Sequence, residues 1–411
     1  MSRTEWVILI LLTVSAFLNY FDRVTLSVAA TDIQREFHLT NTQLGSLHSA
    51  FFFAYSVCQL SFLAGWVVGR FSVGWVLAGG FFLWTCATAA TGMMYAFGAI
   101  IVLRVLLGIG ESVSFPSYSR ILASGFPEHH RGLANALIDA GTKSAPAVGA
   151  LVGGLLVAQY GWRPFFFVLG AGTLVWLVPW IRSMPKGAVA RREDSSLVPS
   201  VVAILEQRSL WFGCLAQFCA NYFWYFLMTW LPAYLEKERH FPKTKMALFA
   251  WLPFLAIAVS EVISGWASDR LIERGDSATR VRKTFAGVGM AGSVLVIAVA
   301  VVRSDAAALA ILTVACAIYG IYASQLFAIV QAIAGPHAAG KWTSFQNGFA
   351  NLAGVVAPWF TGVVLDATGE FYYAFVVAGL IAVAGAGLWV LGVGRVEAVN
   401  FGPQMNTEER G

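Results

Sequence analysis

Gly65-Trp66-Val67-Val68-Gly69-Arg70 recurs later in the chain as Gly265-Trp266-Ala267-Ser268-Asp269-Arg270. Each copy separates two long apolar runs. Asn19-Tyr20-Phe21 recurs in the same way as Asn221-Tyr222-Phe223. Two halves that echo each other read as two copies of one helical unit, able to rock about a shared centre.

Working outward, the chain is 58% hydrophobic and only 12% charged, with mean hydropathy +0.69. A soluble protein carries roughly a quarter of its residues as charges, so most of this surface is matched to lipid. A bilayer core needs about 20 apolar residues per helix. Twelve runs meet that length, at about 6–30, 42–64, 74–95, 97–122, 133–160, 164–182, 209–235, 246–268, 284–302, 306–330, 343–366 and 371–394. The longest polar interruption holds Arg182, Lys186, Arg191, Arg192, Glu193, Asp194 and Arg208. The expected fold is therefore an all-α integral membrane protein of twelve helices in two pseudo-symmetric six-helix bundles. Its expected divisions are a bundle over 1–182, a cytoplasmic linker over 183–208, a second bundle over 209–394 and a cytoplasmic tail over 395–411. The first run is too long for a cleavable signal and carries Asp22-Arg23, so it is expected to remain as a helix.

The net charge of +5 does not point to nucleic acid, because the bases are scattered through short loops. They behave as topology signals. Arg35, Arg163, Lys237, Arg239, Lys243, Lys245 and Arg303 fall on one side and most other bases on the opposite side, which predicts both termini in the cytoplasm. Cys58, Cys86, Cys214, Cys219 and Cys316 all lie in apolar runs, with no metal or disulfide spacing. No phosphate loop, nucleophile–base spacing or metal cluster is present, which argues against an enzyme or an ATP-driven pump. No cofactor or metal is expected.

Four charges break the apolar pattern. Asp22 and Arg23 lie in the first run, and Arg104 and Glu111 in the fourth. Ionisable groups at membrane depth are costly and persist where they face a water-filled path. Arg104 and Glu111, seven apart, share a helix face about 10 Å apart along the axis, whereas the neighbours Asp22 and Arg23 diverge by about 100°. Arginine offers a fixed fork of donors for a carboxylate. A buried carboxyl can exchange a proton as its surroundings change. Asp139 and Lys143, at i,i+4, read as a self-neutralising pair, although Lys143 turned inward would add a third cation. Thr142 beside them could face a solute. His48 reads as a packing histidine seven residues before Tyr55, and the role of Glu261 stays open. Pro116, Pro146, Pro253 and Pro358 are expected to bend helices. Gly141, Ala145, Gly149 and Gly153, at every fourth position, are expected to make a close helix contact.

The Gly65 and Gly265 segments resemble the loop signature of the major facilitator superfamily, with Gly69 standing where the family places an acid. Asn19-Tyr20-Phe21-Asp22-Arg23-Val24-Thr25-Leu26-Ser27-Val28-Ala29-Ala30, and Arg104 through Glu111 to Phe115-Pro116, resemble the first and fourth helices of its anion:cation symporter family. Gly161-Trp162-Arg163-Pro164-Phe165-Phe166, Trp230-Leu231-Pro232-Ala233-Tyr234-Leu235 and Asn347 to Pro358 resemble further segments. The resemblance implies proton-coupled symport of a small organic anion across a bacterial inner membrane by alternating access. A sugar acid (hexuronate, aldonate or aldarate) comes first among the cargoes. The alternatives are a proton-independent anion exchanger or facilitator, or an aromatic-acid permease. It also implies roles: Asp22 and Glu111 for protons; Arg23, Arg104, Tyr20, Tyr55, Gln59, Thr142, Asn347 and Asn351 for the solute; Arg70, Asp269 and Arg270 for gating. The expected partners are a carboxylated solute, protons and the lipid bilayer, and the chain is expected to act as a monomer.

Overall fold

The protein is described by a computed structural model covering residues 1–61, 63–126, 128–184 and 199–399. The linker calls at 185–198 and most of the expected tail, 400–411, lie outside the described residues. Within them the chain is helical, with no strand. Ten helices are long and apolar enough to cross a bilayer. These are α1 (Arg3–Glu36), α3 (Val73–Thr91), α4 (Phe97–Leu122), α5 (Leu137–Tyr160), α6 (Trp162–Ser183), α8 (Lys243–Glu273), α9 (Ala278–Val301), α10 (Asp305–Gly335), α11 (Gly340–Thr368) and α12 (Phe371–Gly392). An eleventh, α2, runs over Asn41–Leu60 and continues as Leu63–Arg70 after a 61° bend. The sequence predicts a run over about 42–64 followed by a loop at Gly65–Arg70; instead Leu63–Arg70 is helical beyond the bend, and the first segment ends at Ser61, whose amide donates to the Val57 carbonyl at 3.0 Å. Helix α7 (Arg208–Lys237) completes twelve long helices at 30 residues. Gln217, Asn221, Tyr222, Tyr225 and Thr229 lower its hydropathy, and it does not count among the apolar set.

Several helices outrun their apolar stretches. Helix α1 begins where Ser2 and Glu5 form a reciprocal capping box, and it continues past the apolar core to Glu36. The long apolar side chains Trp66, Val262, Trp266 and Leu391 are exposed, as a lipid-facing surface requires.

The described residues divide into two compact units. The first takes Met1–Ala190, Tyr225–Leu255 and Gly354–Ala374; the second takes Arg191–Trp224, Ala256–Ala353 and Phe375–Gly411. In the first unit α5 lies along α1. A Cβ at Gly141 would press on the Thr13 carbonyl at 2.9 Å, and one at Gly149 would touch Val24 at 3.4 Å. The small-residue stripe is thus a close helix contact. Next to it α5 takes a π-helical turn at Gly149–Gly153, after Pro146. In the second unit Gly320 of α10 lies against the Ile257 carbonyl of α8, and Gly289 of α9 against Tyr322. The Tyr319 hydroxyl donates to the Ala220 carbonyl at 3.1 Å.

Candidate functional site

The site is built on α1, α2 and α4 of the first unit. Asn19, Asp22 and Arg23 share one face of α1, at i, i+3 and i+4, and all three are buried. Arg104, Gly108 and Glu111 share one face of α4. A Cβ on Gly108 would collide with the Phe51 carbonyl and the start of Tyr55, so only glycine lets α4 approach α2 this closely. That approach sets Arg104 and Glu111, 2% and 0% exposed, beside the aromatic face of α2.

The charges then pair across helices. Arg23 Nε donates to Glu111 Oε2 at 3.0 Å, a buried ion pair. The Arg23 guanidinium also lies over the rings of Tyr20 (4.5 Å), Tyr55 (5.0 Å) and Phe51 (5.1 Å). Stacking of this kind contributes on the order of 1 kcal/mol per ring in a dry setting. Arg104 stands over the same Phe51 ring at 5.5 Å. No ion pair of Arg104 occurs among the described residues, and its Nε has no hydrogen-bond partner. Asp22 sits in the field of Glu111 and Arg104, close to Thr88 of α3. Glu111 therefore takes its partner from α1 and not from its own helix, while the same-helix neighbour Arg104 is left for Asp22 or a ligand.

Several groups in this cluster are buried without a partner: Asn19 Nδ2 and Oδ1, Asp22 Oδ2, Arg23 Nη2, His48 Nε2, Thr88 Oγ1 and Glu111 Oε1. Each such group costs about 1–3 kcal/mol, so a concentration of them marks a place where water or a ligand completes the bonding.

The remaining expected residues spread more widely. Tyr20 and Tyr55 join the cluster through Arg23. Gln59 Nε2 donates to the Ser112 carbonyl at 2.8 Å and so ties α2 to α4. Thr142 donates to the Asp139 carbonyl at 2.8 Å within its own helix, and its side chain is buried. Lys143 is half-buried on the same helix. Asn347 and Asn351 belong to the second unit, where Asn351 Nδ2 donates to the Asn347 carbonyl at 2.7 Å. Arg70, Asp269 and Arg270 are exposed at helix ends, and Arg270 reaches Glu273 at 3.8 Å. Glu261 is half-buried on α8. His48 is buried within the field of Arg104. Among the described residues no His, Cys, Asp or Glu group could hold a metal, and the five cysteines are free.

A second polar network was not visible in the sequence. At the far end of α1, Lys243 of α8 bonds Asp32 (2.8 Å), Thr31 (2.9 Å) and Glu236 (3.4 Å). Thr31 donates to Glu236 at 2.6 Å. Lys237 of α7 donates to Gln34 and to Asn41 at 2.8 Å. Asp366 of α11 accepts from the backbone and side chains of Asn41 and Thr42 at 2.6–2.9 Å, capping the start of α2. All these residues lie in the first unit, around a cleft of about 510 Å³ lined by Thr31, Asp32, Glu236, Lys237 and Lys243. Read singly, these side chains are loop charges that set topology. Only the structure shows that they meet in one network.

Comparison with known proteins agrees with this architecture. The profile of the Major Facilitator Superfamily matches residues 12–347. A probable sulfoacetate transporter of Cupriavidus necator is 29% identical, with 99% of this chain and 96% of that protein covered. A probable galactarate/D-glucarate transporter of Pseudomonas putida is 32% identical over 90% of this chain and 87% of its own length. Among solved structures, a bacterial homolog of the human lysosomal transporter Spinster, in an inward-facing and occupied conformation, superimposes with a TM-score of 0.79. That likeness covers 95% of this chain and 97% of the other at 17% identity, and it concerns the fold. With these matches over twelve long helices, the chain belongs to the Major Facilitator Superfamily and is a multi-pass membrane transporter, not an enzyme.

Proposed function

We propose that this transporter carries a small organic anion inward together with protons, across a bacterial inner membrane, by alternating access. The first candidates are sugar acids: hexuronates, aldonates and aldarates. The observation that carries the reading is the buried group of two arginines and two carboxyls, in which Arg104 has no ion pair among the described residues while Arg23 is held by Glu111. The relatives named above are described as carriers of sulfoacetate and of galactarate or glucarate, all of them anions.

The chemistry follows from competition for guanidinium. A cargo carboxylate leaving water must regain charge-assisted hydrogen bonds, and Arg104 offers them at once. Arg23, whose Nε is held by Glu111, offers its whole fork only when Glu111 lets go. A proton arriving at Glu111 cancels its negative charge, weakens its hold on Arg23 and frees that fork for the cargo. When the proton leaves, Glu111 reclaims Arg23 and expels the anion. Asp22, in the field of Arg104 without an ion pair to it, loses its charge in the same way on protonation and then no longer competes with the cargo for that guanidinium. Tyr20, Tyr55, Gln59, Thr142, Asn347 and Asn351 supply polar contacts. The halves 1–182 and 209–394 rock about this centre, with Arg70, Asp269 and Arg270 at the turns governing one end and the Lys243 and Asp366 network closing the other. The protein works as a monomer with both termini in the cytoplasm.

The test is uptake of D-glucuronate, D-gluconate and D-glucarate into proteoliposomes under an imposed pH gradient, acid outside. Wild-type protein is expected to concentrate at least one of them, and Glu111→Gln and Asp22→Asn to lose the gradient-driven component. Uptake untouched by both substitutions, or unchanged when the gradient is collapsed, refutes proton coupling and leaves anion exchange.

A further inference from the structure

The four charges leave Asn19 unexplained. Asn19 is 0% exposed, and neither Nδ2 nor Oδ1 has a hydrogen-bond partner. It stands on the Asp22–Arg23 face of α1, with its amide against the Glu111 carboxylate but outside hydrogen-bond geometry. A fully buried amide with both ends unbonded is costly. Packing alone would be served better by leucine, which is of similar size and has nothing to satisfy.

The two orphaned ends also specify what fits them. A carboxylate only accepts, so it could engage Nδ2 alone; an ammonium only donates, so it could engage Oδ1 alone. A hydroxyl does both. One hydroxyl, or two on neighbouring carbons, completes the amide from both sides. Beside Arg23 and Glu111, that hydroxyl would lie next to a bound carboxylate. We infer that Asn19 is a specificity-determining residue, which reads a hydroxyl close to the carboxylate of the cargo and so selects hydroxylated acids over bare aliphatic or aromatic ones. The inference rests on the anion reading above and adds a discrimination that the arginines cannot make, because they see only the carboxylate.

The experiment measures binding of five probes to purified full-length protein: D-glucuronate, D-gluconate and D-galactarate, which carry hydroxyls, and hexanoate and benzoate, which do not. Wild type, Asn19→Ala and Asn19→Leu are compared by titration and by thermal melting. Wild type is expected to bind at least one hydroxylated probe about tenfold or more tightly than hexanoate and benzoate, the value of one well-placed hydrogen bond. Both variants are expected to bring that ratio to within about threefold while melting no lower than wild type, because an orphaned amide has been removed. A wild-type preference that survives both substitutions overturns the assignment, as does equal or tighter wild-type binding of hexanoate or benzoate. Variants that melt markedly lower show a structural amide and also overturn it. Failure of all five probes to bind wild type strikes the anion reading itself, and the inference falls with it.

Discussion

In the first compact unit, Gly108 of α4 lies against the α2 backbone at Phe51; in the second, Gly320 of α10 lies against the α8 backbone at Ile257. The packing device is shared, yet the two seams are finished differently. Around the second, serine and glutamine side chains bond one another, while the nearby Tyr322 hydroxyl keeps no partner. Ser268 donates to Gln325 at 3.0 Å, Gln325 donates to Ser324 at 2.7 Å, and Ser264 bonds Ser324 at 3.1 Å. Around the first, Arg104, Asn19, His48, Asp22 and Glu111 each keep at least one buried atom unbonded. Neutral groups that bond one another hold a fold together, whereas a concentration of buried charged groups with open bonding is the feature on which the proposed anion site rests.

The sharpest way to break this contrast is the ion pair. Arg23→Met strands the Glu111 carboxylate in the protein interior and is expected to cost about 3–5 kcal/mol, read by thermal denaturation at neutral pH. Adding Glu111→Leu should recover most of that loss, since a buried pair replaced by apolar groups is often neutral. A double variant as unstable as the single would show that the pair contributes more than its charge. Arg104→Ala should behave in the opposite sense. It is expected to lower affinity for a carboxylated probe by about 100-fold, the scale of a charged hydrogen bond, with little change in melting temperature because no ion pair is lost. Equal losses in binding and stability would place Arg104 with the structural residues.

Two smaller changes test the seams themselves. Gly108→Ala and Gly320→Ala each force a methyl group into backbone and are each expected to cost about 1–3 kcal/mol. Only Gly108→Ala should also weaken anion binding, because only that seam aligns Arg104 and Glu111 with Phe51. Matching binding losses from both would mean that the second seam carries ligand contacts too. The mildest is Ser268→Ala, expected to cost about 1 kcal/mol by leaving Gln325 short of a partner, with anion affinity unchanged. A fall in affinity there would end the division of labour.

Much of the molecule was legible before its structure was described. Asp22, Arg23, Arg104 and Glu111 stood out because charge within an apolar run needs a reason. The Gly141 to Gly153 stripe was visible because small residues every fourth position mark one helix face. Pairing was less accessible. Spacing set Arg104 and Glu111 on one face of α4, and nothing local indicated that Glu111 would reach 88 positions back to Arg23. Gln59, expected at the solute, also ties α2 to α4 through the Ser112 carbonyl, which its place in the sequence did not indicate. Lys237 and Lys243 read as isolated loop charges, and Asp32 and Asp366 gave no signal, because each lies at the end of a different helix.

By itself the sequence determined that this chain is a set of lipid-matched helices in two echoing halves, with a few charges too deep to be accidental. Hydrophobic length and helical period are local properties, so twenty residues suffice to express them. The tertiary structure alone decided which charge meets which, which amides stay unbonded and which polar groups gather at the far end of α1. Those outcomes depend on how near two backbones come, and at Gly108 that distance is set by the absence of a single methyl group.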